Sequence, residues 1–466
     1  GGPGGYVAAI RASQLGMTVA LVEDKHLGGI CLNWGCIPTK ALLKSAQVFN
    51  YLKKASDYGL KISGYEKDFK SIIDRSRNIS SSMSDGVKFL MKKNKIDVIE
   101  GHGKILNGKK VEVENNKKKI IVEADNIIIA TGARSRELKN IPQDQKKVIG
   151  YREAMSLKSQ PKKIIIIGSG AIGIEFAYFY NAIGTDVTVI EYQKNILPIE
   201  DEDISKQLER NFKKNGIKVF TNSEVISVEK KAKNVSAKFK TEKKEEILTA
   251  DIIISATGIK SNIENIGLED IGIAVDNDKI LVNDFYETNI PGYYAIGDIT
   301  KGPALAHVAS AEGILCVEKI AGHNVQKLDY NNIPGCTYCS PEVASVGMTE
   351  KQAKESGYDI LIGKFPFSAS GKAKASGNSD GFIKVIFDKK YGEWLGCHMI
   401  GEGVTDMIAE AVLGRKLETT GYEILKTVHP HPTMSEAVME AVADAYDEVI
   451  HMWFLEIIIL FNNYLS

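Results

Sequence analysis

The sequence predicts an α/β protein: two parallel-sheet units built on glycine-rich strand-to-helix turns, followed by a separate α+β unit. Three observations carry this. A continuous apolar strand, Lys163–Ile167, runs into Gly168-Ser169-Gly170-Ala171-Ile172-Gly173 and then into a helical pattern. A second cluster, Gly1-Gly2-Pro3-Gly4-Gly5, opens another helix with small residues at Ala8, Ala9 and Ala12. From Ile333 the texture changes to short apolar strands between charged loops. At 466 residues the chain exceeds a single core. Apolar residues make 44% and charged residues 25%, as in an ordinary globular protein. Lys and Arg (59) balance Asp and Glu (59), so nothing favours nucleic acid or an anionic membrane as partner.

In chain order, Gly2 and Gly5 occupy the second and third glycine positions of G-x-G-x-x-G. The first glycine and its strand are expected upstream of residue 1. Residues 19–22 form a short buried strand ending in Glu23, an acid placed to hold an adenosine ribose. From 41 to 95 the pattern is helical, with Ala46, Phe49, Tyr51, Leu52, Ile72, Ile73, Ile79, Met83, Val87 and Leu90 as packing positions. Strands follow at 97–101 and 111–113, and a buried strand from 126 enters the turn Thr131-Gly132.

The second glycine unit is complete. Its next strand, 187–190, ends in Glu191, eighteen residues beyond Gly173. Strand, turn, helix, second strand and acid in that order make a Rossmann-like dinucleotide site on Gly168, Gly170, Gly173 and Glu191. Glu191 accepts from a ribose 2′-OH and repels a 2′-phosphate, which favours NAD over NADP. Residues 252–258, ending in Gly258, close this unit as 127–132 closed the first, so the two units read as a structural repeat.

Cys31 and Cys36 lie in Gly28-Gly29-Ile30-Cys31-Leu32-Asn33-Trp34-Gly35-Cys36-Ile37-Pro38-Thr39-Lys40. Pro38 suits a first helical turn. Cys36 therefore stands at a helix N-terminus that favours its thiolate, with Lys40 one turn on as a further cation. Cys31 is expected upstream, in a glycine-flanked loop nearer the solvent. A bridge across so short a loop is built for thiol–disulfide exchange. As a structural staple it removes little chain entropy, and no second ligand pair follows for zinc. Cys336 and Cys339 form a lone C-x-x-C in an extended segment, where positions three apart face opposite ways; no metal site is expected. Six cysteines with one telling spacing point to a reducing compartment.

The stretch around Cys31 and Cys36 resembles the redox motif of the flavin-dependent pyridine nucleotide–disulfide oxidoreductases, and similar motifs recur in order almost to the chain end. The resemblance implies FAD on the first unit (Gly2, Gly5, Glu23, Thr131, Gly132) and NAD on the second. It gives Asp298, after 287–297, to the flavin ribityl chain, and the helix opening at Ala306 to the flavin carbonyl. Glu175 would pair with Lys40 beside the flavin. In His429-Pro430-His431-Pro432-Thr433-Met434-Ser435-Glu436, His431 resembles the catalytic base and Glu436 its orienting carboxylate. The implied chemistry is oxidation of protein-bound dihydrolipoamide through FAD to NAD⁺. Implied partners are lipoyl-bearing proteins of 2-oxoacid dehydrogenase complexes or the glycine cleavage system, in a homodimer formed through the C-terminal domain.

The expected domains are 1–148 (FAD, with the redox disulfide), 149–275 (NAD), 276–332 (second FAD segment), 333–451 (dimer interface) and an apolar tail, 452–466. The tail's apolar run, 453–461, is far short of the ~20 residues that span a bilayer. The expected location is the cytoplasm, or the mitochondrial matrix in a eukaryote. Alternatives keep the chemistry and change the substrate, as in a glutathione or mercuric reductase, or drop catalysis for NAD and redox sensing. Glu191 argues against the first. The absence of a cysteine pair beyond Cys397 argues against the mercuric enzyme, and a sensor has no need of His431 and Glu436.

Overall fold

Each of two units closes on its own core in the computed structural model, which describes residues 1–116 and 118–452. The first takes Gly1–Pro161 and Ile252–Tyr330; the second takes Lys162–Asp251 and the chain from Asn331.

In the first unit, α1 (Pro3–Gln14) leads to β1 (Ala20–Glu23). A short helix, α2 (Gly29–Trp34), precedes α3 (Cys36–Lys53), and α4 (Phe69–Lys93) leads to β2 (Asp97–Glu100), which pairs in parallel with β1. The expected helical stretch 41–95 is thus two helices broken by a loop. A strand was expected only at 111–113. The chain there makes an antiparallel sheet of β3 (His102–Leu106), β4 (Lys110–Asn115) and β5 (Lys118–Glu123), whose lysines and acids hid the alternation. Two further parallel pairs join Ile127–Ile129 to Tyr293–Ala295, and Val148–Ile149 to Ile252–Ser255. The helix Ala306–Ile320 lies close against α1, because a side chain at Gly313 would come within 2.8 Å of the Gly4 carbonyl.

The packing stripe of α4 differs from its expected one. Ile73 and Val87 are buried, but Met83 is 42% exposed, as is Tyr51 of α3 at 37%. The core face is Phe69, Ile73, Ser76, Ser80, Ser84, Val87 and Met91. Three serines that were not among the expected packing positions share this face, and a hydroxyl tolerates such burial only when it donates.

In the second unit three parallel strands lie in the order Lys218–Phe220, Asp186–Ile190, Lys163–Ile167. Only the third of these starts after a loop; the other two each follow a helix, Ala171–Ala182 and Glu202–Lys214. Farther on, five antiparallel strands run in the order Gly335–Thr337, Glu342–Gly347, Trp394–Gly401, Phe382–Asp388, Ile360–Pro366. Helices Val404–Lys416 and Glu436–Ala445 cover this sheet with Val404, Ile408, Ala411, Val438 and Val442. Lys384 is buried in the sheet, with its ammonium 2.9 Å from Asp201, 3.0 Å from Asp203 and 2.7 Å from Glu350. A buried cation persists only with such compensation.

No helix among the described residues is long and apolar enough to cross a membrane. The apolar run 453–461 lies outside the described residues.

Candidate active site and cofactor sites

Gly28 (φ +91°) and Gly29 (φ +57°) turn the chain sharply into α2. Cys31 is therefore inside a helical turn and half-buried, not in an open loop as its flanking glycines had suggested. Gly35 ends α2, and Cys36 is the first residue of α3, whose N-terminal partial charge favours an anion. The structure carries both cysteines as thiols. The Cys31 thiol is pushed far up in pKa. Its hydrogen bond with Cys36 is the largest cause, then burial and the charge of Cys36, while Lys40 acts the other way. Of the two sulfurs it is Cys36 that sits at the start of an 18-residue helix, the position that favours a thiolate.

Asn33 sits between the cysteines and is buried. Its amide donates to the carbonyls of Leu27 (3.0 Å) and Gly29 (2.9 Å), which fixes the start of α2. Thr39 binds back to the Gly35 carbonyl at 2.6 Å.

In the second unit, His431 and Glu436 do meet. His431 Nδ1 is 2.8 Å from Glu436 Oε1, and Glu436 Oε2 accepts from the Thr433 N–H at 2.8 Å. Burial raises the Glu436 pKa, but Thr433 and His431 outweigh it and hold it low, so the carboxylate is ionised. It therefore accepts from Nδ1–H, leaving Nε2 of an exposed imidazole as the proton acceptor. His429 has its own partner, Glu410, at 2.7 Å, which raises its pKa against the effect of burial. Glu175 is buried and accepts from the Tyr338 N–H at 3.0 Å.

The three glycines of the second unit have distinct roles. Gly168 takes φ +97°, a side chain at Gly173 would lie 2.1 Å from the Gly168 carbonyl, and Gly170 faces open space where a pyrophosphate can approach. Glu191 is 7% exposed and accepts from the Ser169 N–H and hydroxyl, both at 2.7 Å, and from the Gln193 N–H at 2.8 Å. A carboxylate has about four acceptor positions, so one remains for a ribose hydroxyl. Ser169, in the variable position of the glycine motif, was not foreseen as its anchor.

Back in the first unit, Gly2 caps α1, and its Cα stands where a Gly29 side chain would come within 2.5 Å. A side chain at Gly5 would meet Ala130 at an ordinary 3.5 Å. Glu23 Oε1 accepts from the N–H groups of Lys25 (2.8 Å) and His26 (3.2 Å), which fix the carboxylate at the end of β1. Thr131 donates to the Asn262 carbonyl at 2.6 Å, and the Gly132 carbonyl accepts from the Asn262 N–H at 2.8 Å. Gly258 (φ +102°) accepts from the Arg136 N–H in this same unit.

Asp298 follows Gly297 (φ +74°) in a short 3₁₀ turn. Burial raises its pKa, with only Lys279 opposing, and its carboxylate takes no hydrogen bond among the described residues. An acceptor so placed suits an incoming hydroxyl. Ala306 is the first residue of its helix. Glu312, on that helix, accepts from the Gly297 N–H at 2.6 Å and from Tyr330 at 2.5 Å, so it holds the turn that carries Asp298. A lone acid in an apolar helical face was its only signal in the sequence.

Residues 1–313 match the family model described as pyridine nucleotide-disulphide oxidoreductase, and residues 333–442 match that family's dimerisation domain. The chain belongs to this family. Pyridine nucleotide-disulphide oxidoreductases similar to it include the dihydrolipoyl dehydrogenase of Rhizobium etli, 49% identical over 97% of this chain and 97% of that protein. The Bacillus subtilis dihydrolipoyl dehydrogenase is 44% identical (97% and 98% covered), and the mitochondrial dihydrolipoyl dehydrogenase 1 of Arabidopsis thaliana 40% (97% and 90%). Among solved structures, LpdA of Mycobacterium tuberculosis superposes with a TM-score of 0.89 at 24% identity, covering 95% of this chain and 97% of that one. The flavoprotein disulfide reductase RclA of Escherichia coli does so at 0.85 and 26%, covering 95% and 98%.

As a member of this family the chain is a flavoprotein oxidoreductase whose cofactors are FAD and NAD. The open Gly170, the spare acceptor position of Glu191 and the unpaired carboxylate of Asp298 fit those groups. Glu191 makes the choice of nucleotide measurable. A 2′-phosphate facing a buried carboxylate costs several kcal/mol, so kcat/KM should favour NAD⁺ over NADP⁺ by about a hundredfold or more. Steady-state kinetics with both nucleotides check this, and equal use would remove Glu191 from the ribose.

Proposed function

We infer that this chain oxidises protein-bound dihydrolipoamide to lipoamide, with NAD⁺ as final acceptor. The observation that carries the reading is the placement of the Cys31–Cys36 pair: Cys36 is the first residue of the long helix α3, where a thiolate is stabilised, and Cys31 lies in the short helix just before it.

The steps follow from these residues. His431 Nε2, with Nδ1 held by Glu436, takes a proton from one dihydrolipoamide thiol. The resulting thiolate attacks Cys31 Sγ; that S–S bond forms as the Cys31–Cys36 bond breaks. Cys36 leaves as a thiolate, stabilised by the α3 N-terminus and Lys40. The second substrate thiol, losing its proton, closes the lipoyl disulfide and releases Cys31, which takes up a proton. Two electrons and two protons have left the substrate. FAD and NAD⁺, when bound, supply the path by which that electron pair leaves the reduced cysteines and ends on the nicotinamide.

In this reading Gly2, Gly5, Glu23, Thr131, Gly132, Asp298 and Ala306 serve the flavin, and Glu175 supports Lys40 beside it. Gly168, Gly170, Gly173, Glu191 and Gly258 serve NAD. The working form is a homodimer, and its partners are the lipoyl-bearing proteins of 2-oxoacid dehydrogenase complexes or of the glycine cleavage system. Its place is the cytoplasm, or the mitochondrial matrix in a eukaryote.

The test is a visible spectrum of the purified flavoprotein. Dihydrolipoamide should reduce it within the mixing time and NAD⁺ should then restore the oxidised spectrum. Reduction by NADPH with glutathione disulfide as the acceptor, and none by dihydrolipoamide, would replace this reading with a glutathione reductase.

A further inference from the structure

The buried serines of α4 have a pattern that their helix alone does not explain. Ser76, Ser80 and Ser84 recur every four residues on one face and are 0%, 3% and 9% exposed. Each donates to the segment that carries the two cysteines. Ser80 Oγ lies 2.6 Å from the Leu32 carbonyl and 3.4 Å from that of Asn33. Ser84 Oγ lies 2.9 Å from Asn33 Oδ1, and Ser76 Oγ 2.9 Å from the Pro38 carbonyl. Leu32 and Asn33 belong to the last turn of α2, whose carbonyls have no partner farther along their own helix. Pro38 belongs to the first turn of α3. The three hydroxyls thus bind the chain between Cys31 and Cys36, and again just after Cys36.

We propose that Ser76, Ser80 and Ser84 are positioning residues that clamp α2 and α3 in one arrangement in both redox states, and so set the potential of the Cys31–Cys36 couple. The proposal rests on the reading of that pair as the redox centre. Reduction adds two electrons and breaks the S–S bond, leaving a proton on Cys31 and a thiolate at Cys36, after which a free loop gains conformational entropy. A loop held on its far side gains less, so its thiols stay close and the disulfide re-forms more readily. The clamp therefore lowers the potential. Asn33 extends the hold, because the amide that accepts from Ser84 also donates to Leu27 and Gly29.

The test equilibrates the holoenzyme with a dithiol–disulfide buffer of known potential, quenches by alkylation, and reads Cys31 and Cys36 by mass spectrometry. Ser80→Ala should raise the potential by about 30 mV, a tenfold change in the exchange constant. Ser84→Ala, which removes a single bond, should shift it the same way by less and serves if Ser80→Ala does not fold. Ser84→Thr keeps the hydroxyl and should restore the wild-type value. Ser205→Ala is the control: Ser205 is buried in the second unit and donates to the Leu197 carbonyl, so its loss should lower Tm and leave the potential unmoved. Serine variants that lower Tm with an unchanged or lowered potential would show ordinary core serines and overturn the clamp. A wild-type enzyme with no reducible Cys31–Cys36 bond would overturn the redox reading itself, and the clamp with it.

Discussion

Alanine at His431 is expected to slow dithiol oxidation by about 10²–10⁴-fold, the usual contribution of a positioned base. Reduction of the enzyme by NADH, which does not call on that base, should be little changed. Glu436→Gln keeps the contact to Nδ1 but removes its charge, and should fall between the two. The same residue tests where the site is built. If His431 of one subunit serves the cysteines of the other, a Cys31→Ser subunit paired with a His431→Ala subunit makes one doubly defective site and one intact site. A mixed dimer purified on two tags should then recover about half the wild-type activity, by counting sites. An inactive mixed dimer with its flavin in place would mean that each site is built within one chain.

Cys31→Ser and Cys36→Ser should both abolish turnover and yet look different. With Cys31 gone, Cys36 is left as a thiolate at the start of α3, with Lys40 one turn away. In the proposed arrangement it faces oxidised flavin, so a long-wavelength charge-transfer band should be present without any reductant. With Cys36 gone, the remaining Cys31 has no such stabilisation and no band should appear. The reverse pattern would exchange the two roles. Titration of the Cys31→Ser band should show it fading as pH falls through the pKa of Cys36, since protonation removes the donor.

The parts legible in the sequence are those where one local rule decides. Gly168, Gly170 and Gly173 each answer a separate steric demand, and their spacing shows it before any fold is known. Cys36 followed by Pro38 announces a helix start. Cys31 was harder, because two glycines before it suggest a loop, whereas their positive φ values turn the chain straight into α2. Met83 and Tyr51 fitted a helical period but face solvent, since periodicity gives a face and not its neighbour. Ser76, Ser80, Ser84, Ser169 and Glu312 stayed hidden for one reason. Their value lies in a partner distant in the chain or in a backbone atom, and residue type alone reports neither.

The near-contact of Gly2 and Gly29 limits how this enzyme can be altered. A β-carbon at Gly29 would stand 2.5 Å from the Gly2 Cα, so the loop leading to Cys31 rests directly on the glycine turn of the first nucleotide-binding motif. There is no spacer to absorb a change. Any redesign that rebuilds the loop for a bulkier disulfide substrate pushes on the cradle behind it, and one that reshapes the cradle for another nucleotide moves the sulfurs. Variation that leaves both intact has to enter elsewhere, at exposed positions such as Met83 on the outer face of α4 or on the surface around His431.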